Sequence, residues 1–182
     1  MKQTDAGDVV GRWDYGRDRE PWAYGDDVTY AKGIGFLDGH GLIEDWGCGT
    51  TYARKFVRHG PYIGIDGSAS PFADKVCDLR SYRSAVPCIF MRHILEHNLD
   101  WRLILEGALA SFQRRMALIM FTPFAETTHV MAYTAGIPDL SFRKGDIVGY
   151  LDRPEFSYVE ERLTTATQYG TETVFYIEKA GG

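Results

Sequence analysis

The 182-residue chain has only three cysteines, Cys48, Cys77 and Cys88, and none of them form a CxxC pair. An odd count without that spacing gives neither a disulfide framework nor a structural zinc motif, and free thiols fit a reducing compartment. Any apolar run approaching the ~18 residues of a spanning helix is also missing. The opening MKQTDAGDVV has no hydrophobic region of a secretory signal, so a cytoplasmic address with no membrane association is expected. Positive charge is not in excess, since 20 Lys and Arg face 25 Asp and Glu for a net charge of −5. That balance argues against a broad nucleic-acid footprint, although Arg54, Lys55 and Arg58 form a local basic face that keeps a nucleic-acid acceptor open. Internal repeats and low-complexity linkers are lacking too.

What is present is an ordinary globular composition, 45% hydrophobic, on a length suited to one buried core. A single domain over residues 1–182 is expected, in four stretches. Residues 1–40 pack Trp13, Tyr15, Trp22, Tyr24 and Tyr30 among cancelling charges, Arg12, Arg17 and Arg19 included. These aromatics read as staples onto the core or as a lid over a small ligand. A helix capped by Asp27 carries Tyr30, Ile34 and Leu37 on one stripe.

Residues 41–121 alternate strands with helical or loop segments. HGLIED, YIGID, VPCIFM and MALIMF read as strands, and ADKVCDL carries a short third one toward Asp78. A helix is expected from Thr50, and another after Asn98 along Trp101, Leu105, Ala108 and Phe112, with Arg114 and Arg115 at its end. Residues 122–151 form an insertion with a helix from Ser141, and residues 152–182 a hairpin of FSYVEERLTTAT and ETVFYIEK. The pattern predicts an α/β fold, a Rossmann-like doubly wound sheet, mostly parallel with a C-terminal antiparallel β-hairpin.

The chemistry concentrates in IEDWGCGTT, residues 43–51. Ligands of an open parallel sheet sit beyond the carboxyl ends of its strands, and glycine there lets backbone approach a ligand closely. Asp66, ahead of Gly67, ends the second strand, where a carboxylate accepts hydrogen bonds from both hydroxyls of a ribose. Asp78 follows the third strand, beside Leu79, and can face an exocyclic amine. A nucleoside cofactor satisfies all three, whereas the nicotinamide fingerprint GxGxxG fails at Tyr52.

In IEDWGCGTT, YIGIDGS, VCDL, IFMRHILEHN and MALIMF, taken in this order, the chain resembles the class I S-adenosylmethionine-dependent methyltransferases. The resemblance implies that S-adenosylmethionine is the cofactor and S-adenosylhomocysteine the product. It implies further that Asp45, Trp46 and the Gly47, Cys48, Gly49 loop hold the methionine end, Asp66 and Gly67 the ribose, and Asp78 with Leu79 the adenine. Met91, Arg92 and His93 would line the floor beside the sulfonium. The chain departs from the family at Thr51, which takes the place of a third glycine and suits it if already helical. It departs again at Glu44, in place of an aliphatic residue.

HILEH spaces His93, Glu96 and His97 at i, i+3 and i+4, one face if helical, which could hold a divalent metal with help from Glu126 or His129. This resembles the ExxEH of certain metal-assisted O-methyltransferases, with His93 replacing the first glutamate. The structural reading, a segment tying down its neighbouring loop, is preferred, and no metal is expected. His93 and His129 are the candidate general bases, since a neutral imidazole suits transfer to a hydroxyl. A small-molecule acceptor is expected. A non-catalytic nucleoside binder and aminocarboxypropyl transfer from the same cofactor are the alternatives.

Overall fold

The computed structural model describes residues 13–181; Arg12 and the rest of the first twelve residues of the aromatic segment, together with Gly182, lie outside the described residues. Seven strands form one sheet: β1 (Ile43–Trp46), β2 (Tyr62–Asp66), β3 (Lys75–Val76), β4 (Val86–Arg92), β5 (Phe112–Met120), β8 (Phe156–Thr164) and β9 (Thr171–Lys179). Their order is β3-β2-β1-β4-β5-β9-β8, with the first five parallel and β9 antiparallel to both of its neighbours. The expected Rossmann-like sheet with its terminal hairpin is therefore present, and β9 of that hairpin inserts between β5 and β8. β6 (His129–Thr134) and β7 (Ile137–Ser141) make a separate antiparallel pair inside the insertion, which the sequence did not announce.

The central strands are apolar because both faces are covered. On one face α1 (Val28–Leu37) seats Ile34 and Leu37 with Phe90 and Ile119. Gly33 lets it approach closely, for a Cβ there would lie 2.6 Å from the Phe90 ring. On the other face α2 (Trp101–Ser111) packs Ile104, Leu105 and Ala108 with Trp46, Ile89 and Met116. α3 (Lys144–Leu151) follows the β6–β7 pair and begins three residues later than expected. No helix among the described residues is long and apolar enough to cross a membrane.

Three local expectations are corrected. Asp27 does not cap α1 with its side chain; Asp26 Oδ1 accepts the Val28 N–H at 3.0 Å, and the Asp27 carboxylate instead binds the Tyr52 hydroxyl at 2.7 Å. The helix expected from Thr50 is a 3₁₀ segment, Tyr52–Phe56, because Thr51 lies at φ 58° and the following turn closes with Arg54 N–H on Thr51 O. Tyr52 and Phe56 still pack on Tyr30, as their spacing required. Phe112, Arg114 and Arg115 belong to β5 rather than to the preceding helix, and Arg115 pairs with Glu178 of β9 at 2.6 Å. The short third strand expected within ADKVCDL is present as Lys75–Val76.

Candidate functional site

The strand order reverses between β1 and β4, and the loop after β1 opens at that crevice. Gly47 and Gly49 hold φ of 76° and 52°, and the Gly47 and Cys48 N–H groups close on the Ile65 carbonyl at 2.7 and 3.0 Å. Thr51, where the resemblance implies a third glycine, takes at φ 58° the left-handed conformation that suits glycine. The expectation of a helical Thr51 thus fails. A Cβ on Gly47 would lie 1.8 Å from Ile94 Cδ1, and one on Gly49 would lie 3.2 Å from the Tyr15 hydroxyl. The bare backbone is what other groups approach.

Asp66 binds the loop to β2, accepting the Gly49 N–H at 2.8 Å and the Ser68 N–H at 2.7 Å. Burial raises its pKa against those two bonds. Asp78 pairs with Arg80 at 2.8 Å, and hydrogen bonding by that guanidinium lowers its pKa. Asp45 lies beneath the loop, bonded to the Tyr62 hydroxyl, and burial pushes its carboxyl up to about 7. Glu44 is explained by a polar network on the opposite face. It accepts from Trp46 Nε1 at 2.9 Å, Ser84 Oγ at 2.8 Å and the Tyr82 hydroxyl at 3.1 Å.

Two residues leave the end of β4 in different directions. Arg92 is buried, its guanidinium 2.8 Å from Glu172 and bonded to Thr29 Oγ1 and the Tyr24 carbonyl at 3.0 and 2.9 Å. His93 sits at φ 58°, donates its N–H to Ile119 O, and places Nε2 against the Glu172 carboxylate. Burial first, then the charges of Arg92 and His97, drives its pKa well below the ordinary 6.5. The turn at His93 breaks the helical face expected of HILEH; Leu95–His97 is a short 3₁₀ segment. His97 Nδ1 reaches the Pro138 carbonyl at 3.1 Å and Asp139 at 3.3 Å. Burial opposes its charge, but the Asp139 hydrogen bond, Glu96 and the Pro138 carbonyl outweigh it and raise the pKa.

A cavity of about 350 Å³ brings these parts together. Gly47 to Thr50, Arg92, His93, Ile94 and His97 form its base, and Trp13, Tyr15, Trp22, Tyr24, Tyr30 and Phe121 wall it. A neighbouring cavity of about 60 Å³ is bordered by Asp66, Gly67, Asp78 and Leu79, and shares Trp13, His93, Ile94 and His97 with the first. The aromatic segment is strapped across the loop by the Trp22 N–H on Thr50 Oγ1 at 3.0 Å and the Trp13 N–H on Ser68 Oγ at 3.3 Å.

No family model matches the chain, and no curated protein does. Solved structures do match. The 1,6-didemethyltoxoflavin-N1-methyltransferase of Burkholderia thailandensis, bound to its substrate and S-adenosylhomocysteine, superposes with a TM-score of 0.67 at 16% identity, over 85% of this chain and 79% of that one. The magnesium protoporphyrin IX methyltransferase of Synechocystis PCC 6803, bound to S-adenosylmethionine, gives 0.57 at 17% identity over 85% and 77%. The chain has the fold of a class I methyltransferase. The [4+2]-cyclase SpnF shares this methyltransferase fold with a TM-score of 0.59 at 13% identity, over 86% and 80% of the two chains.

Within the methyltransferase fold, Gly47, Cys48, Gly49, Arg92 and His93 line the larger cavity, and Asp66, Gly67, Asp78 and Leu79 the smaller. Asp45, Trp46 and Met91 border neither; Trp46 and Met91 are wholly buried in the α2-side core. His129 is exposed at the start of β6, its Nδ1 on the Thr127 carbonyl at 2.9 Å, away from both cavities. Among the described residues no group of three His, Cys, Asp or Glu side chains is arranged to hold a metal. Sequence reasoning missed Glu172 and Asp139. A signal for Glu172 existed, since it shares the inward face of β9 with Val174, where a lone acid demands a partner.

Glu96 turns inward as well. Its Oε1 accepts the Phe121 N–H at 2.6 Å, its Oε2 has no partner, and burial raises its pKa to about 7. The folded state therefore holds this proton more tightly than the unfolded one. The resulting stability is complete below the unfolded pKa of 4.5 and is lost as pH rises through about 7. At about 1.4 kcal/mol per unit this amounts to roughly 3 kcal/mol. Glu96→Gln is expected to remove that dependence: between about pH 4 and pH 8 the variant should lose roughly 3 kcal/mol less stability to thermal unfolding than the parent. Equal pH slopes would contradict the assignment.

Proposed function

We propose that the chain transfers a methyl group from S-adenosylmethionine to a hydroxyl of a small molecule, releasing S-adenosylhomocysteine. The observation that carries this reading is that the glycine loop after β1 and His93 after β4 wall one cavity at the switch point of the sheet. The residues present fit the cofactor. Gly47 and Gly49 offer bare backbone for the methionine end, Asp66 stands for the ribose, and Asp78 with Leu79 for the adenine. Tyr15 and Ile94 rest against those glycines, so a cofactor held there would displace both side chains, Tyr15 with the strap that carries it.

When bound, the cofactor supplies a methyl group on a positively charged sulfur, already electrophilic. The chain then has three tasks. The cavity base and its aromatic walls align the acceptor, and orientation alone supplies up to ~7–11 kcal/mol. The same walls shield one side of the reacting atoms from water. His93 takes the hydroxyl proton, for Glu172 holds its Nε2–H and leaves Nδ1 with a lone pair. Arg92 is the countercharge of Glu172 at 2.8 Å, and burial with the Arg92 and His97 charges keeps His93 neutral.

The two neighbours named as methyltransferases act, by their names, on small ring compounds, which supports a small acceptor here. Of the two departures on which a non-catalytic binder would rest, Thr51 and Glu44, Glu44 is taken up by the bond from Trp46 Nε1 and borders neither cavity. The test is to incubate the protein with S-adenosylmethionine and hydroxylated ring compounds and identify the nucleoside released. S-adenosylhomocysteine is expected. Methylthioadenosine would assign aminocarboxypropyl transfer instead, and binding without either product would make the chain a binder.

A further inference from the structure

Two imidazoles in the cavity wall are tied down alike and left with opposite chemistry. His93 has Nε2 on Glu172, and His97 has Nδ1 shared between the Pro138 carbonyl and Asp139. Each ring keeps one nitrogen free of these ties: Nδ1 on His93 and Nε2 on His97. The two acids come from different strands, β9 and β7, and Asp139 is held in turn by the Tyr169 hydroxyl at 3.3 Å. The Phe121 ring contacts both imidazoles, with centroids 4.6 Å from His93 and 5.3 Å from His97.

Their environments set the polarity. Burial, Arg92 and His97 keep His93 neutral, so its open nitrogen accepts a hydrogen bond. Against its burial, the Asp139 carboxylate 3.3 Å from Nδ1 and the Pro138 carbonyl at 3.1 Å favour the charged His97 ring, and a ring protonated on both nitrogens donates from its open one. An acceptor and a donor thus border one cavity, whose remaining surface is largely aromatic and suits a flat conjugated ring.

We infer that this cavity selects a planar ring system bearing two oxygens, a hydroxyl that gives its proton to His93 Nδ1 and a second oxygen that accepts from His97 Nε2–H. The inference rests on the methyltransferase reading and names its acceptor class. His97 is then a specificity residue and Asp139 its positioning residue. A ring without the second oxygen leaves the His97 N–H unpaired beneath it and loses about tenfold in affinity.

The test is calorimetric titration, with no cofactor present, of 2,3-dihydroxynaphthalene, 2,7-dihydroxynaphthalene and 2-naphthol into the parent, His97→Phe and His97→Gln, with the thermal midpoint of each recorded. At least one diol should bind about tenfold more tightly than 2-naphthol. His97→Phe should bring that diol down to the naphthol level, and His97→Gln, which keeps an N–H donor, should restore part of the preference. If the phenylalanine variant does not fold, Asp139→Asn carries the test and must shrink the diol preference. Equal binding of diols and naphthol, a preference that survives His97→Phe, or no binding of any probe would overturn the inference. Because cofactor is absent, these outcomes are independent of whether S-adenosylhomocysteine binds.

Discussion

Glu172→Leu is expected to destabilise the protein by roughly 3–5 kcal/mol, the cost of leaving a buried ion pair with one partner. The Glu172 side chain is fully buried and Arg92 is 4% exposed, so the guanidinium would keep the Thr29 hydroxyl, the Tyr24 carbonyl and the Tyr30 ring face but no anion. Thr29 Oγ1 also loses its Glu172 bonds at 3.1 and 3.2 Å. In a chain of this size the thermal midpoint should fall by about 10 °C. The double variant Arg92→Met with Glu172→Leu should recover much of that loss, because an apolar pair replaces the ion pair instead of orphaning a charge. A single variant that melts with the parent would show that the pair contributes nothing.

His93→Asn is expected to lower the methyl-transfer rate by about 10²–10⁴-fold, the usual contribution of a positioned base. Asparagine tolerates the left-handed backbone at φ 58°, so the change removes the imidazole without straining the turn. Affinity for S-adenosylhomocysteine should hold within about twofold, which distinguishes loss of the base from loss of the pocket. The parent's pH profile gives an independent check. The His93 pKa is depressed, so the neutral base persists below the ordinary 6.5 and the rate should fall only as pH drops through the lowered value. A rate already halved near pH 6.5, or an asparagine variant with parental turnover, would remove His93 from the chemistry.

The parts legible in the sequence were those written in local pattern. Continuous apolar runs at YIGID and VPCIFM marked strands β2 and β4, and the glycines after IEDW marked the crevice. Positions set by tertiary contact were harder. The segment after Thr50 has helical spacing at Tyr52 and Phe56, but the left-handed Thr51 shortens it to a 3₁₀ turn. HILEH has metal-like spacing only if helical, and the His93 turn sends Glu96 to the Phe121 N–H and His93 to Glu172. Glu172 lies 79 residues from His93 in the chain, a pairing that depends on β9 inserting between β5 and β8. The β6–β7 pair that carries Asp139 was hidden because the exposed β6 lacks an apolar alternation.

The central claim is that the crevice after β1 binds S-adenosylmethionine. Calorimetric titration with S-adenosylmethionine and S-adenosylhomocysteine tests it most directly, with Asp66→Asn as control and Trp13 and Trp22 fluorescence followed in parallel. The account predicts saturable binding of both nucleosides, a fluorescence change as Tyr15 and the strap leave the glycine loop, and a loss of tenfold or more in the variant, about 1.4 kcal/mol. No binding of either nucleoside up to about 1 mM, equivalent to roughly 4 kcal/mol, would contradict the account and leave a methyltransferase fold without its cofactor.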